Sequence, residues 1–320
     1  MKKAGIIVLM TLLFFTGCSR AETPEATVEG EKPVEPVVVK PVELESEPAE
    51  PVLVMDESPI VFQFGEETEA ILPMQKALYL MNYDVDETGI LDEKTEAAIA
   101  TFKLTQEDLI PNGECTEWTQ DRILLEADRR LINQPDSLLV LANKTYYLAA
   151  DYVPADLVQP DVYNYYEEKR ELREPAARAL EDLFAACKDE LGVKLVFRSG
   201  FRSYDIQKII FARHVKADGL EAANQVSAKP GQSEHQTGMA ADITSWSVKN
   251  ALDEAFGETM EGIWVAEHAH EFGFIIRYQI DTVDITKYQY EPWHLRYVGI
   301  EDATKIFEAG VTLEEYLGEI

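Results

Sequence analysis

Basic residues are scarce in this chain of 320 residues: 29 Lys and Arg stand against 59 Asp and Glu, a formal net charge of -30. A surface so short of positive charge excludes a nucleic-acid partner, because phosphate binding needs lysine and arginine. It also excludes electrostatic docking on anionic headgroups. Cysteine is scarce too. Cys18, Cys115 and Cys187 are the only three, none forms a CxxC pair, and a cysteine-based metal site is therefore not expected. The simplest reading of Cys115 and Cys187 is two small packed thiols, with a pairing between them left open by the sequence. After the first fifteen residues no apolar run is long enough to span a bilayer.

What is present divides the chain into four parts. Lys2 and Lys3 precede a short apolar run, Ile6 to Phe15, which ends in Phe15-Thr16-Gly17-Cys18. Residues 1–17 therefore read as a targeting segment. The junction resembles a lipobox, which implies lipidation of Cys18 after cleavage. Phe15 stands where leucine is usual, and an ordinary secretory signal with a coincidental cysteine is the alternative. Residues 18–62 read as a linker. Seven of the fifteen prolines fall there among scattered glutamates, and such a stretch buries too little apolar area to offset its ordering entropy. The expected setting is the cell envelope outside the cytoplasm, with the chain held to a membrane by N-terminal lipid.

Residues 63–128 read as a compact helical unit. Ile71, Leu72, Ala77, Leu78 and Met81 recur at helical spacing, a second helix begins near Asp92, and a third covers Glu117 to Leu125. Gly89 to Thr95 and Gly113 to Thr119 form two half-repeats, each a glycine followed six residues later by threonine. This resembles the three-helix peptidoglycan-binding module, with Asn82-Tyr83 where Gly-Tyr is usual. A helical bundle that only spaces or packs against the next domain is the alternative.

Residues 134–320 read as a larger domain. Helices are predicted over Arg173–Leu191, Tyr204–Lys216 and Glu258–Glu271, with strands at Val193–Phe197, Met239–Ile243, Phe274–Tyr278 and Trp293–Val298. Thr312-x-x-Glu315 predicts a capping box. The absence of regular βαβ alternation predicts an α+β fold with an antiparallel sheet.

Of five histidines, two sit in polar contexts marked by glycine or proline: Ser233-Glu234-His235-Gln236-Thr237-Gly238-Met239-Ala240-Ala241-Asp242 and Glu291-Pro292-Trp293-His294. A catalytic zinc takes three protein ligands and keeps one open position. His235 and Asp242, separated by a glycine-bearing loop, can turn toward one point, and His294 can complete the trio from a distant strand. Glu291, three residues before His294 and followed by Pro292, falls at a loop–strand junction where a carboxylate beside the metal can take a proton from water. On their own these motifs equally suit two polar turns with satisfied histidines.

A third motif shifts that balance. Ser199-Gly200-Phe201-Arg202-Ser203-Tyr204-x-x-Gln207 precedes the other two, and Glu291-Pro292-Trp293-His294 runs on into x-Arg296-Tyr297-Val298-Gly299. The three in this order, with Leu138–Lys144 and Asp151–Val158 ahead of them, resemble the VanY-like D-alanyl-D-alanine carboxypeptidases. The resemblance implies a Hedgehog/DD-peptidase-like domain binding one zinc ion through His235, Asp242 and His294. It implies Glu291 as general base and Arg202 as the group that holds the carbonyl oxygen or its oxyanion. Gln207, Ser233 and Trp293 would line the pocket for a terminal D-residue. The implied substrates are peptidoglycan stem peptides. An L,D-carboxypeptidase, a D,D-dipeptidase or a non-catalytic wall-binding lipoprotein are the alternatives. His214, His268 and His270 read as surface or partly packed groups.

Overall fold

The computed structural model describes residues 61–320 apart from 107–108 and 166–169. The signal segment, Cys18 and almost all of the expected linker lie outside the described residues. Val61 and Phe62, at the end of that linker, form strand β1, which pairs antiparallel with β2 (Cys115–Thr116).

The half-repeats explain how the helical unit starts its helices. Asp92 accepts from the Thr95 backbone at the N-terminus of α2 (Glu93–Lys103), and Thr116 does the same from Thr119 at α3 (Glu117–Arg130). Each satisfies one donor that an helix N-terminus leaves unpaired. Gln75 on α1 (Ile71–Leu80) ties the first half-repeat together: its amide donates to Thr95 Oγ1 at 2.9 Å, and its oxygen accepts from Gly89 N at 2.7 Å. Gly89 has φ of 76°, a conformation glycine adopts without strain. Gly89 and Thr95 of the first half-repeat thus tie α1 to the start of α2, and Thr119 of the second serves the start of α3. Met74, Leu78, Ile99, Phe102, Cys115 and Ile123 fill its core.

In the larger part, β3 (Leu157–Val158) and β4 (Leu172–Arg173) form a short antiparallel pair ahead of α4 (Glu174–Leu191). Pro175 sits in the first turn of α4, where its missing N–H costs nothing, and Gly192 ends the helix in the left-handed region at φ 72°. Ala176, Leu180, Leu183 and Cys187 lie along one face of α4 and bury it against β5 (Leu195–Ser199) and β6 (Ala240–Ser245). The main sheet runs β5-β6-β8-β7, antiparallel throughout, with β7 at Phe274–Tyr278 and β8 at Glu291–Tyr297. The expected α+β class with an antiparallel sheet is what the structure shows. Cys187 and Cys115 belong to different cores.

Helices α5 (Tyr204–Asp218) and α6 (Leu220–Val226) follow β5, α7 (Met260–His268) and α8 (Val283–Thr286) flank β7, and α9 (Ile300–Ala309) and α10 (Leu313–Leu317) close the chain. The helix expected over 258–271 is shorter, because its last turn tightens into a 3-10 helix at Ala269–Phe272 before Gly273. The Thr312–Glu315 capping box is present in both directions. The helical unit is docked on the larger part by hydrogen bonds. Lys229 Nζ donates to Tyr79 O at 2.6 Å and Gln232 Nε2 to Leu80 O at 2.8 Å, both at the end of α1.

Candidate metal and catalytic centre

The sheet brings the two histidine motifs together. Asp242 on β6 is the direct register partner of His294 on β8, and opposed side chains on one face of an antiparallel pair lie within contact distance. His235 arrives from a 3-10 turn, Glu234–Thr237, which Gly238 closes at φ 69°. Asp242 Oδ1 lies 3.0 Å from His294 Nδ1, and Asp242 Oδ2 lies 3.3 Å from His235 Nε2. One ligand atom from each residue falls within 4.8 Å of the others, and all three residues are buried. Ligands about 2.0–2.1 Å from a tetrahedral zinc stand roughly 3.3 Å apart, so this donor set fits the ion.

Both imidazoles are oriented by their far nitrogens. His235 Nδ1 lies 2.7 Å from Gly200 O, so it donates there and leaves Nε2 for a metal. Only glycine fits at position 200: a Cβ would stand 2.3 Å from Glu171 O and 2.8 Å from Phe197 Cζ. His294 Nε2 lies 3.4 Å from Glu234 Oε2, which leaves Nδ1 facing Asp242. Burial opposes charge on Asp242, but His235 and His294 outweigh it and hold the carboxyl far below its ordinary range. Burial and Arg202 push the His235 imidazole down.

Glu291 opens β8, across the ladder from Tyr278. Its Oε2 is 3.9 Å from His294 Nδ1, beside the trio and outside it, with its side chain 17% exposed. Burial pushes its carboxyl up to about 7, against the opposing pull of His294. That suits a group that takes and returns a proton near neutrality. Arg202 lies between β5 and α5. Its backbone N–H donates to His235 O at 3.2 Å, and its buried Nε has no hydrogen-bond partner among the described residues. Burial pushes its guanidinium down from the ordinary value, against the opposing pull of Asp242 and Glu291. A buried guanidinium with a donor to spare is equipped to hold a substrate oxygen.

These groups surround one cavity of about 300 Å³, lined by Arg202, Ser233, His235, Asp242, Glu291, Trp293 and His294 among others. It is at the small end of ligand pockets and suits a single terminal residue. Ser233 and Trp293 are on its wall. Gln207 is behind the wall. It is buried on α5 and donates to Ala228 O at 2.7 Å and Ser227 Oγ at 3.3 Å, both residues of the lining. The sequence reading missed Tyr278, Tyr288 and His214, which also line the cavity. Tyr278 packs on His294 with ring centroids 4.9 Å apart, and Tyr288 packs on Tyr278 at 4.5 Å. Tyr288, three residues before Glu291, was the one available signal. His268 pairs with Glu271, and His270 stacks on Phe307 at 4.0 Å, both away from the cavity.

The model of the family VanY, D-alanyl-D-alanine carboxypeptidase, matches residues 169–300. A D-alanyl-D-alanine carboxypeptidase of Enterococcus faecalis (strain ATCC 700802 / V583) is 41% identical over 239 residues, covering 72% of this chain and 74% of that one. YodJ of Bacillus subtilis (strain 168), named a carboxypeptidase, is 50% identical over 192 residues, 59% of this chain and 70% of its own. Among solved structures, the LdcB LD-carboxypeptidase superposes with a TM-score of 0.57 at 50% identity, covering 59% of this chain and 90% of that one. The sheet, the converging His235, Asp242 and His294, and these matches lead to one conclusion: the chain belongs to the VanY family of D-alanyl-D-alanine carboxypeptidases and is an enzyme of the zinc peptidase class.

Proposed function

We propose that this enzyme is a zinc-dependent D,D-carboxypeptidase that removes the terminal D-alanine from stem peptides of peptidoglycan. The observation that carries this is Glu291, held beside the His235–Asp242–His294 trio with its carboxyl raised to about 7. His235 Nε2, His294 Nδ1 and the Asp242 carboxylate would hold one zinc ion. When bound, the ion supplies Lewis acidity, polarising a carbonyl and lowering the pKa of water toward roughly 7.

The chain's own residues then divide the remaining work. Glu291 accepts a proton as water attacks the scissile carbonyl, then delivers it to the leaving amine. Arg202 donates to the carbonyl oxygen and strengthens that bond as negative charge develops there. Ser233, Trp293, Tyr278 and Tyr288 enclose the terminal residue and exclude water.

Similarity to the LdcB LD-carboxypeptidase supports a second reading, cleavage of the L,D bond in a tetrapeptide by the same machinery. Mass spectrometry of products from a stem pentapeptide ending in D-Ala-D-Ala, and separately from the tetrapeptide, distinguishes them. Loss of one D-Ala from the pentapeptide, abolished by a chelator, is the expected result. Cleavage of the tetrapeptide alone moves the enzyme to the L,D class.

For location we propose a lipoprotein of the cell envelope, anchored through Cys18. The support is the Phe15-Thr16-Gly17-Cys18 junction and the proline-rich stretch behind it. Among the described residues no helix is long and apolar enough to cross a membrane. Cys18→Ser should release the protein from the membrane fraction; retention in that fraction argues for another anchor.

A further inference from the structure

A closed ionic cluster lies behind the metal site. Glu234 Oε1 accepts from Arg277 Nε at 2.7 Å and from Arg296 NH1 at 2.9 Å, with all three side chains at 0% exposure. Arg277 turns its other two nitrogens to Glu314 on α10, at 2.9 and 2.6 Å. Glu314 also accepts from Asn143 Nδ2 at 3.2 Å. Arg296 NH2 donates to Leu138 O at 3.0 Å and Val140 O at 2.7 Å. Two carboxylates and two guanidiniums balance in charge. Apolar residues in place of such clusters are often as stable or more so, so stability alone does not account for it.

Toward the site the cluster sets Arg277 over the Tyr278 ring, 5.0 Å from its centroid, and makes a polar contact from Glu234 Oε2 to His294 Nε2 at 3.4 Å. The partner nitrogen, Nδ1, faces Asp242 Oδ1 at 3.0 Å. We propose that Glu234 is a positioning residue: its carboxylate, clamped by Arg277 and Arg296, keeps the His294 proton on Nε2 and thereby presents Nδ1 as the metal donor. The inference rests on the reading of His235, Asp242 and His294 as the metal ligands.

The two ligating histidines are thus oriented by acceptors of different kinds. His235 gives its proton to the neutral carbonyl of Gly200, and His294 to an anion. A carboxylate behind a ligating imidazole raises its basicity and fixes its ring. The chain of contacts Glu314–Arg277–Glu234–His294 carries this orientation from the C-terminal helix to the ion. The glutamate adjoining His235 in sequence therefore serves the other histidine.

Zinc affinity of the full chain, measured by competition with a chromophoric chelator, tests the proposal through the variants Glu234→Gln, Glu314→Gln and His235→Ala. Glu234→Gln should weaken zinc by roughly 10- to 100-fold and shift the visible absorption of the cobalt-substituted protein. Glu314→Gln should lower Tm with a smaller effect on affinity, since it touches the clamp and not His294. Loss of zinc binding in His235→Ala together with near wild-type affinity and cobalt spectrum in Glu234→Gln would overturn the proposal and leave the metal site standing. Unchanged zinc affinity in His235→Ala would instead overturn the reading of the site. If Glu234→Gln does not fold, the wild-type protein loaded with cadmium-113 decides: coupling of the metal to His294 Nδ1, with the proton on Nε2, supports the proposal, and coupling to Nε2 ends it.

Discussion

Glu291 and Lys144 are two partly buried ionisable groups, and their environments give them different tasks. Glu291 stands free of ligation with its carboxyl near 7. Glu291→Gln should keep zinc and lose roughly 10²- to 10⁴-fold in kcat, read by turnover and metal content on the same sample. Lys144 is locked in place: its ammonium donates to Asn224 O and, at 3.0 Å, to Ser227 O, and lies 3.8 Å from the Tyr288 ring centroid. Burial, aided by Lys229, pushes it down to about 7. The unfolded chain therefore binds more protons at this group between pH 7 and about 10.5, and stability gains from it as pH rises through that window. The destabilisation is complete below pH 7 and fades toward 10.5. In Lys144→Met the plot of unfolding free energy against pH should be flatter over this range, whatever its absolute level; an unchanged slope would refute the assignment. Residue type and spacing gave the convergence of His235, Asp242 and His294 as one of two readings, and the resemblance of the three ordered motifs supplied the role of Glu291. Tyr278 on His294 and Tyr288 behind it were not legible, because an aromatic reads the same whether it packs a core or a cavity.

Among the elements, the tight turn at Glu234–Thr237 controls where His235 points. Gly238 ends it at φ 69°, with Arg173 Cγ 2.9 Å and Leu157 Cδ2 3.0 Å from where a Cβ would be. Gly238→Ala should cost about 1–3 kcal/mol from the backbone conformation and the crowding. Urea unfolding measures this, and loss of zinc affinity should accompany it as the turn shifts. Helix boundaries set by strong signals were readable: Gly192 after α4, Asp92 before α2, and the Thr312–Glu315 box. Two-residue strands such as β1 and β3 were not, since so short a stretch has no period. Gln207 was expected on the pocket wall, but its place on α5 turns it inward to Ser227 and Ala228. Motif membership gives a residue's neighbourhood and leaves open which side of the wall it occupies.

On the scale of the whole molecule, zinc should act as a structural ligand as well as a cofactor. An ion bound only by the folded state adds about 4 kcal/mol at a concentration 1,000 times its Kd. Chelation should therefore lower Tm, and His235→Ala should show no Tm response to added zinc. A zinc-independent Tm in the wild type would contradict this. The docking of α1 on Lys229 and Gln232 was beyond the sequence, because hydrogen bonds to backbone carbonyls leave no mark in residue type at the acceptor. The pairing of Asp242 with His294 has a further consequence. Side chains alternate faces along a strand, so a slip of one residue between β6 and β8 would send His294 to the opposite side of the sheet. Only the correctly aligned sheet would bring the three ligands together. A bound zinc would therefore act as a check on the assembly of the sheet, and a chain folded out of step would lack its clasp.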